Sequence, residues 1–132
     1  MKYRIGFFPG VWDLCHAGHV MALEEAKEHC DFLVVGLQSD PTIDRPKKNK
    51  PVMTVGERIK LLLANRYVDK VWFYDTEKEL ADYDKGFNYD IRFMGEDHKG
   101  KKHHLITGKV IYLSRKHNYS SSELRKRICR KS

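Results

Sequence analysis

Five short apolar runs, each parted from the next by turn residues and a stretch of different period, constrain this chain more than any other feature. They are Tyr3 to Pro9, Phe32 to Gln38, Lys70 to Tyr74, Ile91 to Met94 and Lys109 to Leu113. Their length and their β-branched and aromatic content read as buried strands. The intervening stretches have helical period. Residues 18 to 30 set Val20, Leu23, Ala26 and Lys27 near one face. Thr54 to Tyr67 opens on a capping box, Thr54 with Glu57, and turns Ile59, Leu62, Leu63 and Arg66 inward. A weaker, more polar segment runs from Glu77 to Phe87, and a last one from Ser121 or Ser122 to Cys129, with Glu123 near its positive end.

Strand, helix, strand, repeated, predicts a parallel sheet joined by right-handed helical crossovers. The expectation is one α/β Rossmann-like domain over residues 1 to 132, a five-stranded parallel sheet with helices on both faces. A chain of 132 residues, 41% apolar, has enough material for one such core. In these sheets ligands sit beyond the carboxyl ends of the strands. Chemistry is therefore expected at Gly10 to His19, Ser39–Asp40, Gly95–Glu96–Asp97 and Ser114 to Ser122. Asp40 to Pro51, with three of the four prolines, reads as a long loop.

Composition narrows the function classes. The longest apolar runs, Ile5 to Pro9 and Phe32 to Leu37, fall far short of the roughly 18 residues that cross a bilayer, and Met1 to Arg4 leads into no signal-like segment. A soluble, cytoplasmic protein without a membrane partner is expected. Cys15, Cys30 and Cys129 are odd in number and form no CxxC, which supports neither a disulfide framework nor a structural zinc site. The net charge of +7 is uneven: residues 99 to 132 carry eleven Lys and Arg against one acid, Glu123, while the rest holds 14 bases and 17 acids. Such a field attracts polyanions, whether nucleic acid or a nucleoside triphosphate. A solvated basic tail accounts equally well for Arg125–Lys126–Arg127 and Arg130–Lys131. A basic nucleic-acid-binding module is the alternative from another class, but Tyr112 and Tyr119 are too few to make a stacking platform, and nucleic acid is not the expected partner.

The segment after the first strand, residues 10 to 19, reads GVWDLCHAGH. Gly10 permits a tight turn with a bare backbone that a phosphate can approach, and a helix beginning near Gly18 points its first amides at the sheet's carboxyl edge, where anions are favoured. His16 and His19, three apart, fall on one side of that first turn. Gly18 leaves the space between them open. Two imidazoles and several backbone donors converge on a volume suited to the charge of a phosphoryl group in its transition state. A metal held by the two histidines and Asp13 is a rival reading, as is a pair of ordinary helix-end histidines. A dinucleotide fingerprint is absent.

GVWDLCHAGH resembles the GTFDxxHxGH signature of the cytidylyltransferase family, within the HxGH nucleotidyltransferases. The likeness continues through LVVGLQSD, GERIKLLLANRYVDKV, FMGEDHKGK and RKHNYSSS, the last where the family has RTEGISTT, and the pattern is most similar to the bacterial glycerol-3-phosphate branch. The resemblance implies transfer of CMP from CTP to a small phosphorylated alcohol with release of pyrophosphate, an ATP-using adenylyltransferase being the alternative. It implies catalytic roles for His16, His19, Arg115 and Lys48. It implies nucleotide binding by Gly10, Val11, Trp12, Asp13, Gly18, Arg58, Arg66, Gly95, Asp97, Ser120, Ser121 and Ser122, and acceptor binding by Asp40, Lys47, Lys50 and Asp69. Magnesium is expected to arrive with the triphosphate, with no metal ligand in the protein, and a homodimer is implied. Departures bear on the acceptor: by ungapped matching Glu77 and Leu80 stand where glycerol-phosphate members carry tryptophan and lysine. An amino-alcohol or sugar phosphate therefore stays open.

Overall fold

The computed structural model describes residues 2–95, 109–113 and 119–130. Its elements follow in the order β1 (Tyr3–Gly10), α1 (Ala17–Glu28), β2 (Cys30–Gln38), α2 (Val55–Leu63), β3 (Lys70–Tyr74), α3 (Glu77–Gly86), β4 (Ile91–Gly95), β5 (Val110–Leu113) and α4 (Ser121–Cys129). All four strand pairings are parallel, and the strand order is β3-β2-β1-β4-β5. The expected five-stranded parallel sheet is therefore present. The order reverses between β1 and β4, and a crevice opens at that switch point on the carboxyl edge.

Alternate residues of β1 face opposite sides of the sheet, and the two faces build separate cores. Phe8 joins Leu33, Val35, Leu37, Ile91 and Phe93 under Leu23 and Ala26 of α1 and Leu62 of α2. Phe7 joins Val34 and Tyr74 under Leu80 of α3, with Trp72, Tyr83, Phe87 and Tyr89 at the margin. Helices thus cover both faces. Beneath α3, Arg92 forms a buried ion pair with Asp84 at 3.3 Å, and the Tyr89 hydroxyl also donates to Asp84.

The Thr54–Glu57 capping box forms: the Glu57 amide donates to Thr54 Oγ1 at 3.1 Å and the Thr54 amide to Glu57 Oε1 at 2.8 Å. Helix α2 nevertheless stops at Leu63, four residues before the expected end. The Asn65 side chain accepts from the Tyr67 amide at 2.9 Å, and its carbonyl from the Val68 amide at 3.1 Å, which offers the backbone a turn in place of further helix. Leu63, expected inward, is 58% exposed, and Arg66 lies beyond the helix.

The amino half of β1 leaves no room for a side chain at Gly6. A Cβ there would lie 2.6 Å from Phe93 Cε2 and 2.8 Å from Cys30 Sγ, both in fully buried side chains. Gly6→Ala should cost about 1–3 kcal/mol through overpacking, read as a lower urea midpoint at unchanged slope.

Candidate nucleotide site

The turn between β1 and α1 carries unusual backbone. Trp12 and Leu14 both have positive φ, 57° and 51°, a conformation that costs residues with a Cβ about 1–3 kcal/mol each. Packing holds them there. The Trp12 ring folds back over Gly10, where a Cβ would come within 3.0 Å of its Nε1, and that Nε1–H donates to the Gly36 carbonyl at 3.0 Å. The same ring meets Phe8 edge-on at 4.8 Å between centroids and lies 5.3 Å from His19.

The chain leaves this turn at His16, which caps α1. Its Nδ1 accepts from the Gly18 amide at 3.0 Å, so the neutral ring carries its proton on Nε2. The His16 and His19 rings stack at 3.9 Å with 21° between planes. Gly18 is required by close approach: a Cβ would sit 2.9 Å from His16 Cε1 and 2.9 Å from Tyr119 Cβ. That second contact sets the start of α4 beside the start of α1, so two helix amino ends meet at the carboxyl edge of β1, where anions are favoured. Among the described residues no group of three or more His, Cys, Asp or Glu is placed to hold a metal.

Asp13, only 3% exposed, ties this turn to two other segments. Its carboxylate accepts from the Val52 amide at 2.9 Å, the Met53 amide at 3.0 Å and Arg125 at 2.8 Å, and its carbonyl accepts from the Ser121 hydroxyl at 3.0 Å. Burial by itself pushes this carboxyl up, but the two amides and the guanidinium outweigh it and hold the group below the usual carboxylate range. The carboxylate, expected among the nucleotide ligands, is spent on protein donors and orients the turn.

Arg58 is likewise engaged by the protein. It is 2% exposed, and its guanidinium donates to the carbonyls of Met53 and Thr54 through Nε, Val11 and Gln38 through Nη1, and Ser39 through Nη2. It clamps the ends of β1 and β2 to the start of α2 and has little left for a phosphate. Trp12 likewise contributes its ring to the core rather than to a ligand.

Arg66 and Asp69 lie at the opposite edge of the sheet. Asp69 pairs with Lys27 and accepts from the Leu33 amide at 2.7 Å, near the amino end of β2, and five residues of strand at about 3.3 Å each part it from Gln38. Exposed Arg66 donates to the Tyr67 hydroxyl, which in turn bonds Glu24 of α1. Neither reaches the histidine turn within this chain, because a crossover helix carries the backbone from one edge to the other.

The remaining expected residues divide by position. Extending the Gly6↔Ile91 and Phe7↔Arg92 register brings Gly95 level with Gly10 at the switch point. Ser120 caps α4 through the Glu123 amide at 3.0 Å, Ser121 is bonded to Asp13, and Ser122 is exposed. Asp40 accepts from the amide and hydroxyl of Thr42 at 2.9 and 2.6 Å, bonds that hold its carboxyl below the usual range. Lys47, Lys48 and Lys50 are exposed on the loop after β2, which Arg45 pins through Gln38 Oε1 at 2.7 Å and Glu77 at 2.9 Å. Glu77, one of the departures noted above, is thus paired with Arg45, and Leu80, the other, is core. Asp97 and Arg115 lie outside the described residues. Arg125 went unrecognised within a basic run; the signal was its spacing, four residues after Ser121 on one helix face.

The cytidylyltransferase-like family model matches residues 7–127. The chain belongs to that family. Among cytidylyltransferase-like relatives, the bifunctional protein HldE of Hyphomonas neptunium is 38% identical over 96 residues, 72% of this chain and 20% of that protein. The ethanolamine-phosphate cytidylyltransferase of Arabidopsis thaliana is 45% identical over 69 residues, 52% of this chain and 16% of that protein. The chain spans about a fifth of the length of these curated relatives. The lipopolysaccharide core biosynthesis protein of Thermoplasma volcanium GSS1 superposes with a TM-score of 0.72 at 26% identity, over 86% of this chain and 98% of that one. No helix among the described residues is long and apolar enough to cross a membrane.

Two stability measurements test this geometry. His16→Ala should lose about 1 kcal/mol through the missing helix cap, while His16→Asn, whose side chain caps as well, should lose only a few tenths. The depressed Asp13 carboxyl contributes stability that is present above the ordinary carboxylate value near 4 and is lost as pH falls through its folded value. Chemical unfolding between pH 7 and pH 3 should therefore show a steeper loss on acidification for the native chain than for Asp13→Asn.

Proposed function

We propose that this chain transfers CMP from CTP to a small phosphorylated alcohol. The observation that carries the reading is the stacked His16–His19 pair at the amino end of α1, with the amino end of α4 against it across Gly18. An oxygen of the acceptor phosphate attacks the α-phosphorus, the bond from that phosphorus to the bridging oxygen of the β-phosphate breaks, and pyrophosphate leaves. A phosphate dianion is nucleophilic at neutral pH, so the reaction asks for charge stabilisation rather than a buried base. His16 supplies an Nε2–H donor, since its Nδ1 serves the helix cap. His19 lies beside it, and first-turn amides of both helices favour the remaining phosphate charge. The loop lysines 47, 48 and 50 supply exposed cations from the carboxyl side of β2. Magnesium carried on the triphosphate neutralises charge there, a role for which it prefers phosphate oxygens to a protein cage.

The nucleotide assignment draws support from the family match and from the ethanolamine-phosphate cytidylyltransferase relative. That relative also puts ethanolamine phosphate beside glycerol-3-phosphate among acceptors to be tried. Pyrophosphate release is to be followed with CTP and, separately, ATP against a panel of phosphomonoesters. The expected result is turnover with CTP; turnover with ATP alone would assign the adenylyl alternative, and silence with both would refute the reading. His16→Asn and His19→Ala should each lower kcat by about 100-fold or more, the scale of losing one preorganised oxyanion donor.

A further inference from the structure

Arg125 and Ser121 lie one helical turn apart on α4, and both reach the same distant residue. Arg125 Nη2 lies 2.8 Å from Asp13 Oδ2, and the Ser121 hydroxyl donates to the Asp13 carbonyl at 3.0 Å, across 108 to 112 residues of sequence. Among the described residues, these bonds and the close approach of Tyr119 to Gly18 set the first turn of α4 beside the histidine pair. Apolar packing adds little to that placement, because none of the side chains on α4 is buried and Ile128 is 66% exposed. The α4 helix is held by its polar end.

We propose that Arg125 is a positioning residue for nucleoside-triphosphate binding: through Asp13 it docks the amino end of α4 against the histidine turn. The inference rests on the reading that this turn accepts a triphosphate. Amides at the start of α4 act on the terminal phosphate, which lies beyond the bond that breaks and whose charge changes less between ground and transition state than that of the α-phosphate or of the β-oxygen that leaves with the bond's electron pair. Loosening them therefore weakens binding of both states alike, which raises KM and leaves kcat nearly unchanged. A residue that merely supported the fold would act differently. Its loss would lower the fraction of active protein, and so the apparent kcat, without moving KM.

The test is a set of initial-rate measurements on the full chain, with CTP varied at saturating acceptor and a melting curve for each variant. Arg125→Met should raise KM for CTP about tenfold with kcat within about threefold, on the scale of one charge-assisted hydrogen bond. Arg125→Lys keeps the charge but loses the planar fork and should give an intermediate rise of about threefold. Arg127→Met removes a positive charge from the same helix without touching Asp13, and its KM should stay within about twofold of the native value. An unchanged KM in Arg125→Met overturns the proposal, whether or not kcat and melting temperature fall. Equal KM rises in Arg125→Met and Arg127→Met overturn it too, in favour of a diffuse field. If Arg125→Met fails to fold, Arg125→Lys decides, and an unchanged KM there overturns the proposal. A native chain that turns over neither CTP nor ATP refutes the underlying reading and this inference with it, whereas native turnover with unmoved KM values refutes this inference alone.

Discussion

The buried carboxylate of Asp13 is the constraint around which the carboxyl edge of the sheet is arranged. Removing a charge from water costs several kcal/mol unless every lone pair finds a donor. Asp13 finds its donors in Val52, Met53 and Arg125, which are 39, 40 and 112 residues away. Satisfying one charge therefore brings together the turn after β1, the approach to α2 and the last helix. Those are also the segments that carry the histidine pair, the end of the lysine loop and the serine-rich start of α4. The site cannot be assembled from any one of them, and it is complete only when the two ends of the domain have met.

The backbone around Asp13 shows what that arrangement costs. Trp12 and Leu14 flank it in the left-handed region, and neither has the side chain of a residue that visits this region readily. The strain persists because the Trp12 ring is fixed from one side by Gly36 and Phe8 while Asp13 is fixed from the other by its three donors. Two reversals of the chain within three residues turn His16 back over the start of its own helix. One nitrogen of its ring is then used to cap, since Nδ1 accepts from the Gly18 amide. Helix stability and ligand chemistry are thus coupled in a single imidazole.

Much of this could be read before any coordinates, and the rest was hidden for specific reasons. Among the described residues, periodicity located the five strands and four helices to within a few residues, since burial of alternate or every-third residue leaves a direct imprint on sequence. The position of His16, His19 and Gly18 followed from strand-then-helix order. The end of α2 was misread because Asn65 competes for the backbone through its own side chain, a choice that helical period does not register. Arg66 and Asp69 were drawn into the site by a family pattern that says which residues recur but not which edge of the sheet they occupy. The positive φ values left no trace, as tryptophan and leucine give no warning of them. Arg125 was masked by its neighbours, for a basic run looks the same whether one member is bonded to a buried carboxylate or all are solvated.

The two buried arginines separate two ways of keeping such a charge, and the difference bears on the site. Arg92 is neutralised by Asp84 in contact with it, so the pair contributes little field beyond its surroundings. Arg58 is surrounded by carbonyl oxygens, with no carboxylate within bonding distance; burial draws its pKa down, and the more distant charges of Asp13 and Asp40 oppose that shift. Asp13 is in turn matched by Arg125, while Asp40 bonds Thr42 and still faces Arg58 at a distance, so the charge of Arg58 is opposed but not neutralised in contact. The carbonyl cage of Arg58 satisfies its hydrogen bonds and leaves its charge in place beneath the carboxyl ends of β1 and β2.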